Sequence, residues 1–333
     1  MRSRIRLRER RAGTKKLLFS VVIPAFNEAS CIEACMVSLS KQTLSKHEFE
    51  VIVVDNGSVD STASLASRYE PKLPLRVVSI SRRSISAARN YGVSLTTGKM
   101  IAFLDVDCIP HPTWLADAMK LVADNVIWGA HYKIPPQSSW VGSVWFKYQA
   151  NEREGPVSFL PGGNLQMTRE TFMSLGGFDE SVETSEDVEL CARARKRGMQ
   201  VLAYPALAVV HDGTPQTLGH FYRKNRWHGK HVSRVFLANL PSMENLPVMA
   251  LSMYTLFMFA LAILIPLIGI PYHWSWKILV APLILTFLPS VLLALRKTAP
   301  AALETLLLSV LYAVYSLARS HSLAQPFEKS QRK

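Results

Sequence analysis

The chain has 333 residues, of which 49% are hydrophobic and 19% are charged. This composition excludes a disordered or collagen-like protein, and the length allows two domains with a sizeable core. The formal net charge of +13 is concentrated in residues 1–16, 219–234 and 319–333. The body of the protein is therefore not a basic nucleic-acid binder.

In the first third of the chain, apolar runs rich in β-branched residues alternate with helical segments. Four strands are predicted, with helices between them over 28–39, 58–69 and 84–95. The order of strand and helix predicts an α/β fold with a mostly parallel, Rossmann-like sheet flanked by helices. The predicted strands are Phe19–Ala25, Phe49–Val54, Leu75–Ile80 and Met100–Leu104.

Polar clusters follow all four predicted strands: Asn27-Glu28, Asp55, residues 82–89, and Asp105 with Asp107. Ligands bind at the carboxyl ends of the strands in such sheets, so we expect these clusters to converge on one site. The chain has neither a G-x-G-x-x-G motif after the first strand nor a phosphate-binding P-loop. Another group must therefore neutralise any bound diphosphate.

Asp105 and Asp107 are two positions apart at the end of an apolar strand. Because side chains alternate between the two faces of a strand, we expect both carboxylates to point to the same side. Like charges this close repel unless a cation lies between them, and Mg²⁺ prefers carboxylates together with phosphate oxygens. His211 directly follows the apolar run 206–210, which we expect to be a strand. A neutral imidazole at that strand end could complete the metal site. A loop-capping acidic pair and a structural histidine are the competing interpretations.

Asp187 opens a predicted helix that runs to about Arg197. One interpretation is a general base that deprotonates an acceptor hydroxyl as it attacks the anomeric carbon of a sugar. The other is a capping pair with Thr184, since acidic residues in a first helical turn are favoured by the helix dipole. The spacing does not separate these two interpretations.

Arg226 and Trp227 lie in a segment that mixes cations with aromatic residues, about twenty residues before an apolar stretch. Basic-aromatic mixtures also bind nucleic acid, but lipid phosphates or a diphosphate are nearer partners here. A guanidinium binds phosphate through two N–H hydrogen bonds. We therefore expect Arg226 and Trp227 to close as a lid over a bound donor substrate that carries a diphosphate.

Three apolar stretches follow, and they predict membrane helices. Residues 247–270 and 278–295 form the two strong candidates, while 299–318 contains Glu304 and is weaker. Short loops rich in Lys and Arg face the cytoplasm in membrane proteins, which predicts that residues 1–246 and 296–297 are cytoplasmic. We therefore expect a multi-pass protein of the cell membrane, with the third segment left open as spanning, re-entrant or interfacial.

Taken together, the chain resembles the family 2 glycosyltransferases, which have the GT-A fold, over about residues 18–230. Six motifs occur in the order found in that family. They are VIPAFNE at 22–28, VDNGSVDST at 54–62, ARNYG at 88–92, FLDVD at 103–107, GGFDE at 176–180 and EDVEL at 186–190. The resemblance implies a nucleotide-sugar donor, a divalent metal (Mg²⁺ or Mn²⁺) and inversion at the anomeric carbon.

The resemblance also implies roles for individual residues. Pro24, Phe26 and Glu28 line the nucleobase pocket, Asp55 accepts a hydrogen bond from the base, commonly uracil, and Arg89 lies near the base or the diphosphate.

On the catalytic side, the resemblance makes Asp107 a metal ligand, Asp105 a contact of both ribose and metal, and Asp187 the catalytic base, with His211 retained as the third metal candidate. The implied acceptor and lid residues are Gly163, Asn164, Glu186, Arg226 and Trp227.

Arg223 stands where polymer-extending members of the family have the glutamine of a Q-x-x-R-W motif. We therefore expect transfer of a single sugar to a lipid-linked or membrane-proximal glycan acceptor, with membrane lipids as further partners and no nucleic acid. The alternative is a non-catalytic membrane scaffold of a polysaccharide-assembly complex.

The expected domains are a basic tail (1–17), the glycosyltransferase domain (18–230), a linker (231–246), two to three membrane helices (247–321) and a tail (322–333).

Overall fold

The computed structural model describes residues 19–149, 153–182, 184–229, 246–267, 275–298 and 301–324. The chain forms two compact units. The first comprises the described parts of Met1–Pro135, Asn151–Val182 and Glu186–Gly213, and the second those of Pro136–Ala150, Glu183–Ser185 and Thr214–Lys333. The expected tail at 1–17, residues 231–245 of the expected linker at 231–246 and residues 325–333 of the expected tail at 322–333 lie outside the described residues. The domain boundaries stay predictions.

The strands all belong to the first unit. They are β1 (Phe19–Ala25), β2 (Phe49–Asp55), β3 (Leu75–Ser79), β4 (Met100–Leu104), β5 (Cys108–Ile109), β6 (Val126–Gly129), β7 (Gly155–Pro156), β8 (Asn164–Thr168), β9 (Gln200–Ala203) and β10 (Val210–His211).

The helices are distributed over both units. They are α1 (Ile32–Ser40), α2 (Thr62–Ser67), α3 (Ile85–Ser94), α4 (Trp114–Ala118), α5 (Trp140–Gln149), α6 (Arg169–Leu175), α7 (Glu186–Lys196), α8 (Leu218–Gly229), α9 (Leu246–Leu267), α10 (Ser275–Thr298) and α11 (Ala302–Ala324).

Eight strands form the main sheet, in the order β3-β2-β1-β4-β8-β6-β9-β7. β1 runs parallel to β2 and β4, with Ala25 opposite Asp55 and Val22 opposite Phe103, whereas β8 runs antiparallel between β4 and β6. Every residue of β1, β4 and β8 is buried, as expected for strands covered on both faces. The prediction of a mostly parallel sheet flanked by helices is confirmed.

Local sequence explains where the helices of this unit begin and end. Ser84 caps α3 by accepting the Ala87 N–H at 3.2 Å. Thr168 caps α6 in the same way, and Gly176 ends α6 in a left-handed conformation with φ 83°. In α7 the first turn is acidic and the last turn basic, which complements the helix dipole.

A second, two-stranded sheet joins β5 to β10 in antiparallel register, with Cys108 opposite His211. The apolar run that we expected to be a strand over 206–210 is instead a 3₁₀ turn at Pro205–Leu207 followed by the short β10. The pairing brings His211 beside the residue that follows Asp107 in the chain.

The second unit is helical. Trp145 of α5 packs against Phe221 of α8 and against Tyr312 and Tyr315 of α11, with ring centres 4.8 to 5.7 Å apart. Such offset and edge-on contacts add to the apolar area that the rings bury.

Among the described residues, one helix segment is long and apolar enough to cross a membrane, Ala302–Leu323, while Met249–Leu264 forms a shorter apolar stretch. This differs from our prediction, in which the third apolar segment, 299–318, was the weakest candidate for a membrane helix because it contains Glu304. In the structure Glu304 lies in the first turn of α11, and its Oε1 accepts a hydrogen bond from Lys147 Nζ at 2.7 Å. Its charge is therefore paired at the helix end. Spans at 247–270 and 278–295 stay predictions.

Candidate active site

The loops after β1 and β2 are tied together at the carboxyl edge of the sheet. Asn27, whose φ is 55°, donates its N–H to Ser58 Oγ and accepts the Val59 N–H on its side-chain oxygen, both at 2.9 Å. The Glu28 N–H donates to Thr62 Oγ1 at 2.8 Å. These bonds fix the backbone around Phe26. α1 begins at Ile32, four residues after its expected start at Glu28.

Phe26 and Asp55, two of the residues expected to hold a nucleobase, lie in these loops. Phe26 is 36% exposed, and the guanidinium carbon of Arg82 lies 3.5 Å from the centre of its ring. Asp55 is buried and accepts the Ser58 N–H at 3.2 Å and the Ser79 hydroxyl at 3.1 Å. An accessible aromatic face and a fixed carboxylate at one sheet edge can stack on and hydrogen-bond a planar base.

Pro24 and Glu28 border the same edge. Pro24 is the penultimate residue of β1 and pairs in register with Val54. Burial, followed by the charges of Asp107 and Asp105, raises the pKa of Glu28 to about 7. The acids that follow β1 and β4 therefore share one electrostatic environment.

Arg89 of α3 forms the centre of a buried ion-pair network. It is 1% exposed, and its two terminal nitrogens lie 2.7 Å from Asp105 Oδ1 and 2.5 Å from Glu186 Oε1. Burial alone would lower the pKa of this guanidinium, but Asp105 and Glu186 raise it above its ordinary value. Its expected position near the base or diphosphate stays a prediction; the structure shows it joining the end of β4 to the start of α7.

A turn at Gly162-Gly163 links the same two elements a second time. The Gly162 N–H donates to Asp187 Oδ2 at 2.9 Å, and the Asp105 N–H donates to the Gly163 carbonyl at 3.4 Å. The Gly163 N–H donates to the Tyr132 hydroxyl at 3.1 Å. A Cβ at Gly163 would collide with the Asp105 carboxylate and lie 2.6 Å from the Tyr132 oxygen, so this close approach requires glycine.

Asp187 has the properties of a carboxylate that can exchange a proton near neutral pH. Burial and, next, the charge of Glu186 raise its pKa to about 7, against the opposing hydrogen bond from the Gly162 N–H. A base whose pKa lies near the working pH is well suited to accept a proton in a transition state. Thr184, the capping partner considered for it, is fully buried.

Asp107 and His211 lie side by side, with Asp107 Oδ2 3.3 Å from His211 Nε2. Together with Cys108 they offer three donor atoms within 4.8 Å of one another, a group that could hold a metal ion. Asp105 is not part of this cluster, and its role as a metal ligand stays a prediction.

The donor chemistry of this cluster suits a hard or borderline divalent cation. Its donors are the Asp107 carboxylate, the His211 imidazole and the Cys108 thiol, and burial raises the pKa of that thiol well above its ordinary value. A Cβ at Gly213 would collide with the Asp107 carboxylate and lie 2.9 Å from the His211 ring. Glycine at that position therefore lets the Asp107 carboxylate and the His211 ring approach the backbone this closely.

Asn164, expected on the acceptor side, is fully buried in the core. Its amide donates to the carbonyls of Ala130 and Leu207 at 3.0 and 2.9 Å and accepts the indole N–H of Trp114 at 3.1 Å. These three bonds fix the end of β8 to its surroundings, and an acceptor role for this residue stays a prediction.

Arg226 and Trp227 lie on α8 in the second unit. Trp227 is 43% exposed, and its ring centre is 4.9 Å from that of His228. Their lid role stays a prediction.

Two residues in contact with these groups were missed by the sequence analysis. Arg82 belongs to the polar cluster at 82–89, but nothing in the sequence indicated that it would pack on the ring of Phe26. Tyr132 follows β6 in no motif at all, yet it contacts Asp105, Gly163 and His211.

Comparison with known families gives two overlapping matches. The model of "Glycosyl transferase family 2" matches residues 20–176. That of "Glycosyl transferase family group 2" matches residues 100–317, which is more than half of the chain. The six motifs and the carboxylate sites described above lie within these two ranges.

Characterised relatives carry the same type of activity in their names. Glycosyltransferase AglE of Haloferax volcanii is 26% identical over 240 residues, 70% of this chain and 78% of that protein. Pre-mycofactocin glycosyltransferase of Mycobacterium tuberculosis is 28% identical over 221 residues, 62% of this chain and 45% of its own length.

Solved structures share the fold. The mannosyltransferase PcManGT of Pyrobaculum calidifontis, in complex with GDP-Man and Mn²⁺, aligns with a TM-score of 0.62 at 19% identity, covering 94% of this chain and 89% of that one. TarS of S. aureus in complex with UDP-GlcNAc aligns at 0.51 and 16% identity, covering 92% and 90%. With its mostly parallel sheet, its convergent carboxylates and these matches, the chain belongs to the family 2 glycosyltransferases.

Proposed function

We propose that this glycosyltransferase is membrane-anchored and metal-dependent, and that it transfers one sugar with inversion from a UDP-sugar to an acceptor hydroxyl in cell-envelope or exopolysaccharide synthesis. The observation that carries the proposal is the junction of two distant carboxylate sites. Asp105 and Glu186 share the buried guanidinium of Arg89, and Asp187 follows Glu186 directly. A metal-side acid and a candidate base are thereby held on either side of the Gly162-Gly163 turn.

On the donor side, Phe26 would stack on the base and Asp55 would accept its N–H, within a pocket bordered by Pro24 and Glu28. Uracil and guanine both present a ring N–H to an acceptor. Support for the two bases comes from the TarS complex with UDP-GlcNAc and the PcManGT complex with GDP-Man. Our choice of uracil is tested by offering both donors.

Asp107 and His211 would hold a divalent cation, with Asp105 beside them. When bound, such a cation neutralises charge that develops on a departing diphosphate. The protein contributes the carboxylate and the imidazole, 3.3 Å apart. The Mn²⁺ in the PcManGT complex supports this assignment.

Asp187 would act as the general base. The acceptor hydroxyl gives its proton to the Asp187 carboxylate while its oxygen forms a bond to the anomeric carbon. The bond between that carbon and the diphosphate oxygen breaks, and its electron pair leaves with the diphosphate. Attack from the side opposite the leaving group inverts the configuration at the anomeric carbon.

The second unit would anchor the enzyme in the cell membrane, with the catalytic unit on the cytoplasmic side. Its helices expose large apolar side chains that water does not favour, among them Met253, Phe257, Ile263, Ile284 and Leu306, each at least 60% exposed. Arg226 and Trp227 on α8 would then lie near the headgroups, close to a lipid-linked or membrane-proximal glycan acceptor. Membrane flotation of the expressed protein that resists alkaline carbonate would support the anchor.

The test is sugar transfer by the purified full-length protein. Labelled UDP-sugars and GDP-mannose are supplied with membrane lipid extract, with and without Mn²⁺. Asp187→Asn is expected to lower transfer by about 10²–10⁴-fold, while Mn²⁺-dependent UDP binding persists because Asp107 and His211 are unchanged. Asp124→Asn, on an exposed loop, is the control.

Full transfer by Asp187→Asn would refute its role as the base. If the unmodified protein transfers no sugar and binds no nucleotide with metal, the alternative of a non-catalytic scaffold for polysaccharide assembly is favoured.

A further inference from the structure

Tyr132 has no part in the chemistry proposed above, yet it contacts groups that belong to three separate segments. Its hydroxyl donates to Asp105 Oδ2 at 3.4 Å and accepts the Gly163 N–H at 3.1 Å. Its ring centre lies 4.4 Å from that of His211, with the planes inclined by 41°. We propose that Tyr132 is a positioning residue that orients both the metal-side imidazole and the carboxylate of Asp105, an inference that rests on the proposed function.

The backbone around Tyr132 is anchored to the strand that carries His211. The Lys133 N–H donates to the Val209 carbonyl, and the His211 N–H donates to the Lys133 carbonyl, both at 2.8 Å. Lys133 also forms an isolated parallel bridge with Val210. These bonds hold the backbone that carries the tyrosine ring beside the backbone that carries the imidazole.

The ring and the hydroxyl have different tasks. Contact with the ring restricts rotation of the His211 side chain, which keeps Nε2 directed at Asp107 Oδ2, 3.3 Å away. Groups that orient a metal-ligating histidine tune metal affinity without touching the metal. The ring should therefore influence the affinity for the metal alone.

The hydroxyl completes the surroundings of Asp105. Arg89 occupies Oδ1 of this carboxylate and Tyr132 reaches Oδ2, while the same phenol oxygen accepts the Gly163 N–H. Without the hydroxyl, Asp105 is held from one side only and the amide of Gly163 loses this acceptor. The hydroxyl should therefore influence binding of a nucleoside diphosphate more than binding of the metal.

Two substitutions separate these tasks. Tyr132→Phe keeps the ring and removes the hydroxyl, whereas Tyr132→Leu removes both. Mn²⁺ binding to the purified full-length protein is measured by electron paramagnetic resonance of the free ion, and binding of UDP and of GDP by calorimetry at saturating Mn²⁺. Tyr91→Leu, at an exposed position of α3, is the control and should match the unmodified protein.

We expect Tyr132→Phe to bind Mn²⁺ within about 2-fold of the unmodified protein but to bind the nucleoside diphosphate about 5–10-fold more weakly, the loss expected for one hydrogen bond. Tyr132→Leu should bind Mn²⁺ about 10-fold more weakly, in the range of groups that orient metal ligands. In a His211→Ala background the two Tyr132 variants should bind Mn²⁺ equally, because the imidazole through which the ring acts is gone.

The inference is overturned if Tyr132→Leu binds Mn²⁺ as the unmodified protein does, or if its defect persists in the His211→Ala background. Should Tyr132→Leu fail to fold, Tyr132→Phe decides by itself, and normal nucleotide binding by that variant overturns the inference. If the unmodified protein binds neither Mn²⁺ nor nucleotide, the proposed function fails as well. Normal binding by both variants removes only the role of Tyr132.

Discussion

Replacing Arg89 with leucine removes the cation shared by two carboxylates. The guanidinium is 1% exposed and its partners Glu186 and Asp105 have side chains that are 8% and 26% exposed. Breaking a buried ion pair from one side costs about 3–5 kcal/mol because the remaining charge stays buried without compensation. We expect Arg89→Leu to lose about this much free energy of unfolding, mostly through Glu186, which has less access to water than Asp105.

The loss should appear in thermal unfolding. For a unit of about 150–250 residues each kcal/mol moves Tm by about 2–4 °C, so we expect a fall of about 6–20 °C at pH 7.5. The assay is thermal unfolding of the purified full-length protein at this pH, followed by circular dichroism.

Two further variants separate charge from packing. Arg68→Leu removes a surface cation that lies 3.9 Å from Glu33, with both side chains more than half exposed, and should leave Tm nearly unchanged. Adding Glu186→Gln to Arg89→Leu should recover part of the loss, since the buried charge disappears. A fall in Tm of less than about 2 °C, against the roughly 6–20 °C expected, would refute this account.

Four other outcomes follow from the site. Transfer by the unmodified enzyme should decline below pH about 7, because Asp187 must be ionised to accept a proton and its pKa is raised to about 7; a rate that is constant from pH 5.5 to 8 contradicts the assignment. The same raised pKa means that stability is lost as pH rises from about 4 to 7, so Asp187→Asn should have a higher Tm than the unmodified protein at pH 8 and little difference at pH 4. Gly163→Ala should weaken Mn²⁺-dependent UDP binding by at least about 10-fold, because its Cβ would displace Asp105 and Tyr132, and normal calorimetric binding would argue against the tight turn. Asp107→Asn should weaken Mn²⁺ binding by about 10–100-fold, as measured by electron paramagnetic resonance; unchanged affinity would remove it from the metal site.

Much of the first unit is predictable because β1, β2 and β4 are short runs in which nearly every side chain is buried. β1 and β4 have the predicted limits, and β2 is one residue longer and β3 one residue shorter than expected. In a parallel sheet the carboxyl ends of strands share one edge, so Asp55, Asp105 and Asp107 could be assigned to that edge from chain order alone. Helix limits were less accurate: α1 begins at Ile32 and not at Glu28, although the Ile32 N–H donates to the Glu28 carbonyl at 3.0 Å.

Thus the pattern of apolar runs and polar strand ends determined the fold class, the family resemblance and the edge at which the acids gather. Tertiary structure alone decided what each acid contacts. The antiparallel insertion of β8 between β4 and β6 brings the Gly162-Gly163 turn beside Asp105 and Asp187, and folding buries Arg89 between two carboxylates. Pairings between residues 16 to 97 positions apart leave no periodic trace in a sequence, because they depend on how separate elements meet and not on the order of side chains within any one of them.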